Sequence, residues 1–171
     1  MKQIDPFTSD LRSGNGALKA ILISGFVAGT LDILSAFLVH SVFGKSTVEK
    51  ILQFIASGVY GMDAFKGGIA MALAGLFFHF VIAYGFAVFY YYASKHIDYL
   101  HKNPLVSGLL YGLFAWLVMN YVVLPYSSIP QPKKAPTFGA QLISIACVMF
   151  FVGLPIAYII RNFYNKQYKH E

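Results

Sequence analysis

Two ionisable side chains stand inside long apolar stretches of the sequence, and they are the first candidates for chemistry. Asp32 lies about halfway along ILISGFVAGTLDILSAFLVH, and His79 lies within GLFFHFVIAYGF. A carboxylic acid and an imidazole in such surroundings can bind an ion or pass a proton along a relay. Either can also serve only as a hydrogen-bonding partner between helices. For a single histidine on an apolar helix, the structural role is the more common one.

Recognised catalytic and cofactor motifs are absent from the sequence. FGKST matches only the second half of a phosphate-binding loop, because Val39 stands five residues before Gly44, where the pattern requires a glycine. Asp32 is the only acid inside an apolar stretch, so paired carboxylates for acid-base catalysis are missing. His40 and His79 would differ in depth by about 12 Å, which excludes a bis-histidine haem. We therefore expect no catalytic residue, no metal and no cofactor, and the sequence favours a protein that is not an enzyme.

The composition indicates that lipid surrounds most of the chain. Of the 171 residues, 57% are hydrophobic and only 12% are charged, whereas about 25% of the residues of a soluble domain are charged. Four apolar segments reach the roughly 20 residues that a membrane-spanning helix needs. They cover residues 20–43, 67–93, 105–125 and 139–160. We predict a single all-α domain over residues 1–171, a polytopic membrane protein with four transmembrane helices and no internal repeat.

The basic residues predict the topology. They give a net charge of +6 but are spread over loops and tails, without the basic and aromatic stripe of a nucleic-acid-binding surface. With four spans, both tails and the middle loop share one side, which carries Lys2, Arg12, Lys19, Lys95, Lys102, Arg161, Lys166 and Lys169. The other side carries Lys45, Lys50, Lys66, Lys133 and Lys134. The positive-inside rule then places both termini in the cytoplasm. Tyrosines expected at the membrane interfaces are Tyr90, Tyr91, Tyr92, Tyr121 and Tyr126.

The first loop carries a helical pattern of its own. Its apolar residues follow the spacing of one helical face and are Val48, Ile51, Leu52, Ile55 and Val59. Ser46 and Glu49 form a capping-box pattern that would start this helix, and Gly58 and Gly61 would end it. We predict a short amphipathic helix over about residues 46–57. It would lie in the far membrane interface or simply cover the bundle.

Helical periodicity groups the polar residues of the spans with small ones. Asp32 and His79 each lie on a face that is rich in Gly and Ala and would let helices approach closely. The packing glycines on these faces are Gly25, Gly29, Gly68 and Gly75. Because both polar residues lie about 18 to 21 Å from the same end of their spans, we predict that they face each other, hydrogen-bonded directly or through one water. Trp116 and Asn120, one turn apart on the third span, complete the predicted intramembrane polar cluster.

Several segments together resemble a family of small uncharacterised bacterial integral membrane proteins with four helices. The segments are GFVAGTLDI, LQFIASGVYG, GLLYGLFAWLVMNYVVLP and VGLPIAYIIR, and the resemblance covers most of the chain. It implies four spans and a location in the bacterial inner, or cytoplasmic, membrane. It implies no activity.

Two functions of different kinds fit these observations. In the first, the chain is an accessory or structural subunit, with the polar groups fixing helix register and the exposed surface contacting lipid, another membrane protein or a second copy. In the second, it is a small ion, proton or solute transport protein that uses Asp32 and His79. A four-helix bundle is narrow, so a pore would require oligomerisation. The sequence slightly favours the first function.

Overall fold

The computed structural model describes residues 6–43, 46–130 and 136–168, and these ranges contain helices but no strand. The α-helices are α1 Pro6–Phe43, α2 Val48–Tyr60, α3 Gly68–His96, α4 Tyr99–Lys102, α5 Pro104–Val118, α6 Phe138–Val148 and α7 Leu154–Tyr168. A 3-10 segment, Gly61–Lys66, connects α2 to α3. A π turn, Met119–Val123, extends α5, and a second, Met149–Gly153, joins α6 and α7 into one continuous rod. The predicted all-helical class is confirmed for these ranges.

Four helices are long and apolar enough to cross a membrane. The qualifying stretches are Gly16–Ser41, Gly68–His96, Pro104–Val123 and Phe138–Phe163, with 26, 29, 20 and 26 residues. At 1.5 Å per residue even the shortest is about 30 Å long, which equals the usual hydrocarbon thickness of a bilayer. These stretches overlap the four segments predicted from the sequence and differ from them by a few residues at each end.

The two ends of the bundle can be distinguished by their contacts. At one end, a Cβ atom on Gly16 of α1 would lie 2.7 Å from the Phe163 ring of α7, and that ring lies 6.1 Å from the Tyr91 ring of α3. We call this the terminal end, because α1 enters the bundle there and α7 leaves it. At the opposite end, which we call the loop end, α2 packs on α3 where Leu52 meets Gly75.

Most of the core lies toward the terminal end. Its buried residues come from α1, α3, α5, α7 and the second π turn, and they are Ala28, Ala87, Tyr90, Tyr91, Tyr111, Val152, Ile156, Ala157 and Ile160. A smaller cluster at the loop end joins α1, α2 and α3 through Ile33, Leu52 and Ala72. The bundle is therefore packed more extensively at the terminal end.

The first loop contains a helix, as predicted, but the capping residue differs. Thr47 is the N-cap, and its side chain accepts a hydrogen bond from the Lys50 amide at 3.3 Å. The predicted capping box therefore does not form, and Glu49 instead accepts a hydrogen bond from Gln53 at 3.0 Å. The helix runs through the predicted terminator Gly58 to Tyr60 and ends at Gly61, whose positive φ of 56° suits a glycine.

Each π turn precedes a proline by two residues. Leu124 N–H bonds to Met119 O five residues back, and Leu154 N–H bonds to Met149 O in the same way. The surrounding sequences are VMNYVVLP at residues 118–125 and VMFFVGLP at residues 148–155. Aligned over eight positions, they are identical at five, and a sixth position is aromatic in both, Tyr in one and Phe in the other. This similarity of eight residues was not identified when we predicted that the chain has no internal repeat. A π turn moves the preceding carbonyls away from the proline ring, which would otherwise clash in a regular helix.

Candidate functional site

His79 binds the backbone of the neighbouring helix. Its Nε2 atom lies 2.8 Å from the carbonyl oxygen of Gly29 in α1. Because a carbonyl oxygen can only accept, Nε2 carries the proton and donates it. Phe80 and Ala83 pack so closely on Gly29 that a Cβ atom there would lie about 3 Å from both side chains. The glycine therefore permits the close helix approach that brings its carbonyl within reach of the imidazole.

Asp32 lies one helical turn beyond Gly29 on α1. Its side chain is half-buried and interacts electrostatically with His79. Within the described ranges no hydrogen bond to the Asp32 carboxylate is found, and Ser35 donates to the backbone oxygen of Asp32 at 2.8 Å. We predicted that Asp32 and His79 face each other, hydrogen-bonded directly or through one water. Among the described residues no direct hydrogen bond joins the two side chains, and His79 donates to Gly29 instead. A bridge through one water stays a prediction.

Trp116 and Asn120 form a second, separate polar group. The indole Nε1 of Trp116 donates to Ser144 Oγ of α6 at 3.0 Å. Asn120 Nδ2 donates to the Trp116 carbonyl oxygen at 2.9 Å, within its own helix. In the part of the chain that the structure describes, no hydrogen bond joins this pair to His79 or Asp32. The predicted cluster of four residues is therefore divided between the α1–α3 and α5–α6 interfaces.

A buried tyrosine network was missed in the sequence. The Tyr90 hydroxyl lies 3.0 Å from both the Leu100 carbonyl and Ser107 Oγ, and Tyr111 donates to the Phe86 carbonyl at 2.6 Å. Tyr90 was expected at the membrane interface but belongs to the core. A sequence signal was available, because Ala83, Ala87 and Tyr90 follow one another at helical spacing, which places Tyr90 on the same face as the small residues.

The glycine contacts divide into packing and backbone roles. A Cβ on Gly25 would overlap the Tyr84 ring, and one on Gly75 would overlap the Leu52 carbonyl of α2. Gly68 differs, since a Cβ there would meet nothing within 4 Å, and its φ of 56° indicates that its conformation is what requires a glycine.

The α5 contact with the second π turn uses three further glycines, which were not among the packing glycines predicted from the sequence. Gly153 lies against Gly108 and Gly112, and Gly112 lies against the backbone of Met149. Gly108 and Gly112 form a Gly-x-x-x-Gly motif, the pattern that brings helices together in membranes. This motif could have been recognised from the sequence.

The charged residues of the 3-10 segment lie apart from these groups. Lys66 Nζ bonds to Asp63 Oδ1 at 2.8 Å, and both side chains are exposed. The hydrogen bond from Lys66 lowers the pKa of Asp63, and the same bond raises the pKa of Lys66. A solvent-exposed pair of this kind contributes little to stability. Across the described residues no group of three or more His, Cys, Asp or Glu side chains could hold a metal ion.

Comparison with known proteins gives one distant relative. The chain is 25% identical over 148 residues to the uncharacterized protein YqhR of Bacillus subtilis (strain 168), an alignment that covers 85% of this chain and 76% of the relative. No protein-family model matches the chain, and no solved structure matches it. The relative fits the resemblance to uncharacterised proteins but supplies no activity.

Proposed function

We propose that this chain is a multi-pass protein of the bacterial cytoplasmic membrane with an accessory or structural role. In this role Asp32 and His79 hold α1 against α3 and do not carry a transported species. The observation that supports it is the hydrogen bond from His79 to the Gly29 carbonyl, which gives the imidazole a fixed partner on the adjacent helix. A histidine bound to a backbone carbonyl has one ring nitrogen fewer available for an ion or a proton relay.

The exposed surface of the long helices supports insertion into a bilayer. Large apolar side chains project outward along the candidate spans, with Leu38 exposed by 67%, Ile69 by 73% and Phe77 by 64%. Soluble monomers rarely expose continuous apolar surface of this kind, whereas lipid solvates it. Both termini are proposed to be cytoplasmic on the basis of the basic residues at the terminal end.

Proton flux in liposomes distinguishes this role from transport. The purified chain would be reconstituted with an internal pH-sensitive dye, and a pH gradient would be imposed. We expect the wild type to leak protons at the rate of protein-free liposomes, and the Asp32→Asn variant to do the same. A flux that the wild type supports and Asp32→Asn abolishes would favour the transport function instead.

A further inference from the structure

The first part of α2 lies at the surface of the loop end. Just before the helix, the Ser46 amide bonds to the His40 carbonyl at the end of α1, at 3.2 Å. Within the helix, Gln53 Nε2 donates to the carbonyl oxygen of Gly68 at 3.1 Å, and Gly68 is the first residue of α3. α2 therefore begins level with the end of α1 and the start of α3.

The rest of α2 lies deeper in the bundle. Leu52 shares a buried cluster with Ile33 of α1, and Ile33 precedes Ser41, the last residue of that candidate span, by eight residues, or about 12 Å. The Tyr60 ring lies 6.1 Å from the Phe78 ring, and Phe78 follows the first residue of α3 by ten residues, or about 15 Å. α2 therefore advances alongside α3 and does not lie across its end.

The 3-10 segment Gly61–Lys66 returns the chain to the loop end. Its six residues rise about 12 Å at about 2.0 Å each, close to the depth that α2 has gained. We call residues 48–66 the α2 hairpin, and Tyr60 and Gly61, where it turns, its tip. The twelve residues 51–62 are uncharged. A stretch of this length is too short to span a bilayer but is typical of re-entrant and interfacial segments.

The backbone near the tip obtains its hydrogen bonds from protein groups. α2 ends inside the bundle, so its last carbonyls need partners that hydrocarbon cannot supply. The Ser128 amide, which follows α5, donates to the Gly58 carbonyl at 2.9 Å, and the Gly61 amide donates to the Ser57 carbonyl. A helix that ends at membrane depth is tolerated when the surrounding protein satisfies its backbone in this way.

We propose that the α2 hairpin is a re-entrant element whose outer face contacts the acyl chains of the loop-end leaflet. A helix lying flat in the interface would keep its whole length at one depth, whereas α2 contacts both the start of α3 and Phe78, about 15 Å farther along. The outer face carries the exposed apolar side chains Phe54, Val59 and Met62. They lie at the depth of the exposed Phe77 of α3, which the proposed membrane insertion also places against lipid.

Fluorescence quenching tests the depth of the tip. In a Cys147→Ser background, which removes the single native cysteine, the full chain carrying Val59→Cys would be labelled with bimane and reconstituted in phosphatidylcholine liposomes. Lys50→Cys, exposed in the first turn of the same helix, is the matched control. One quencher is a lipid with a nitroxide near the end of its acyl chain, and the other is iodide on both sides of the liposome.

We expect the nitroxide lipid to quench the label at position 59 several-fold more than the label at position 50, and iodide to quench them in the opposite order. Equal quenching at the two positions would place α2 flat in the interface and would overturn the proposal. Stronger iodide quenching at position 59 would show water at the tip and would also overturn it. Protection of position 59 from both quenchers would show that protein, and not lipid, covers the outer face.

A charged side chain provides a second test that needs no label. Val48 and Val59 are both exposed, so lysine at either position displaces no packed side chain. Val59→Lys would place an ammonium group near the tip, within the apolar leaflet, where a charge is strongly disfavoured. We expect it to lower the unfolding midpoint in bicelles, and Val48→Lys, in the first turn, to leave the midpoint near that of the wild type. Equal midpoints for the two variants would contradict the re-entrant placement.

This inference rests on the proposed insertion into a membrane, and one further measurement separates the two. Alkaline carbonate extraction of the same liposomes reports whether the chain is integral to the membrane. If the chain stays in the pellet and the two labels are quenched equally, the proposed function stands and the re-entrant hairpin does not. If extraction releases the chain, both proposals fail.

Discussion

Replacing His79 with leucine should destabilise the chain more than replacing His79 and Asp32 together. The single variant His79→Leu removes the hydrogen bond to the Gly29 carbonyl, with a net value of about 0.5 to 1.5 kcal/mol. It also leaves Asp32 without the imidazole with which it interacts electrostatically. Loss of that interaction for the half-buried carboxylate adds up to about 1 to 3 kcal/mol, the upper part of this range applying to a fully buried group. The double variant with leucine at both positions loses the hydrogen bond but leaves no such group behind.

The structure indicates which of the two single variants, His79→Leu or Asp32→Leu, should lower the stability more. With a direct bond between the two side chains, removal of Asp32 alone would leave His79 without a partner. In the structure His79 retains Gly29 after Asp32→Leu, so this variant should cost less than His79→Leu. The Gly29 carbonyl also keeps the hydrogen bond of its own helix, so no acceptor is orphaned by either change.

Reversible unfolding in mixed micelles would measure the three free energies. His40→Leu is the matched control, because His40 is exposed and its Nδ1 atom contacts the Ala36 carbonyl of its own helix at 2.9 Å. We expect the control to cost less than about 0.5 kcal/mol, as is usual for surface substitutions. A double variant less stable than His79→Leu, or a His79→Leu variant as stable as the control, would refute this account of the α1–α3 interface.

Three further predictions concern other parts of the chain. Reporter fusions after Lys95 and after Lys134, which lies outside the described residues, should report opposite sides of the membrane, and the same side for both would contradict four spans. Gly112→Val should destabilise by about 1 to 3 kcal/mol or more in an unfolding titration, because the new side chain would overlap the Met149 backbone; an unchanged midpoint would contradict that contact. Tyr111→Phe should cost about 0.5 to 1.5 kcal/mol in the same titration through loss of the bond to the Phe86 carbonyl, and a more stable variant would count against that bond.

The helices were predictable because hydropathy and length alone identify them. Four apolar stretches of at least 20 residues follow from composition, and the helix of the first loop follows from its apolar spacing. The predicted N-cap of this helix, Ser46, differs by one residue from the observed N-cap, Thr47, because serine and threonine are both good capping residues. Which of them becomes the N-cap depends on how α2 packs against its neighbours, and the sequence does not encode that packing in a simple pattern.

The arrangement of the polar residues was less predictable because it depends on which helices are neighbours. Periodicity places Asp32, His79 and Asn120 on faces of their own helices, but it does not say that α5 packs on α6 and α7 instead of beside His79. The partner of His79 is also a backbone carbonyl, and backbone acceptors are present at every residue. The contact is specified by the absence of a side chain at Gly29, a signal that becomes meaningful only when the opposing helix is known.

The second π turn allows a test of whether Pro155 or the packing of the neighbouring helices requires a π turn between α6 and α7. A π turn contains one residue more than the regular helix it interrupts. Deleting the exposed Phe150 would restore a regular helix and keep Ile156 and Ile160 facing the core. It would also bring the Pro155 ring against a carbonyl four residues earlier, at a cost of about 3 kcal/mol.

We therefore expect the Phe150 deletion to be strongly destabilised in an unfolding titration and to recover most of its stability when Pro155→Ala is added. Deletion of Phe77, which is similarly exposed but lies in the uninterrupted helix α3, is the control. It would rotate the rest of α3 by about 100° and remove Tyr90 from the core, so Pro155→Ala should not rescue it. A Phe150 deletion as stable as the wild type would show that the proline does not require the turn. Failure of the rescue would show instead that the turn is held by the contacts of Gly153 with Gly108 and Gly112.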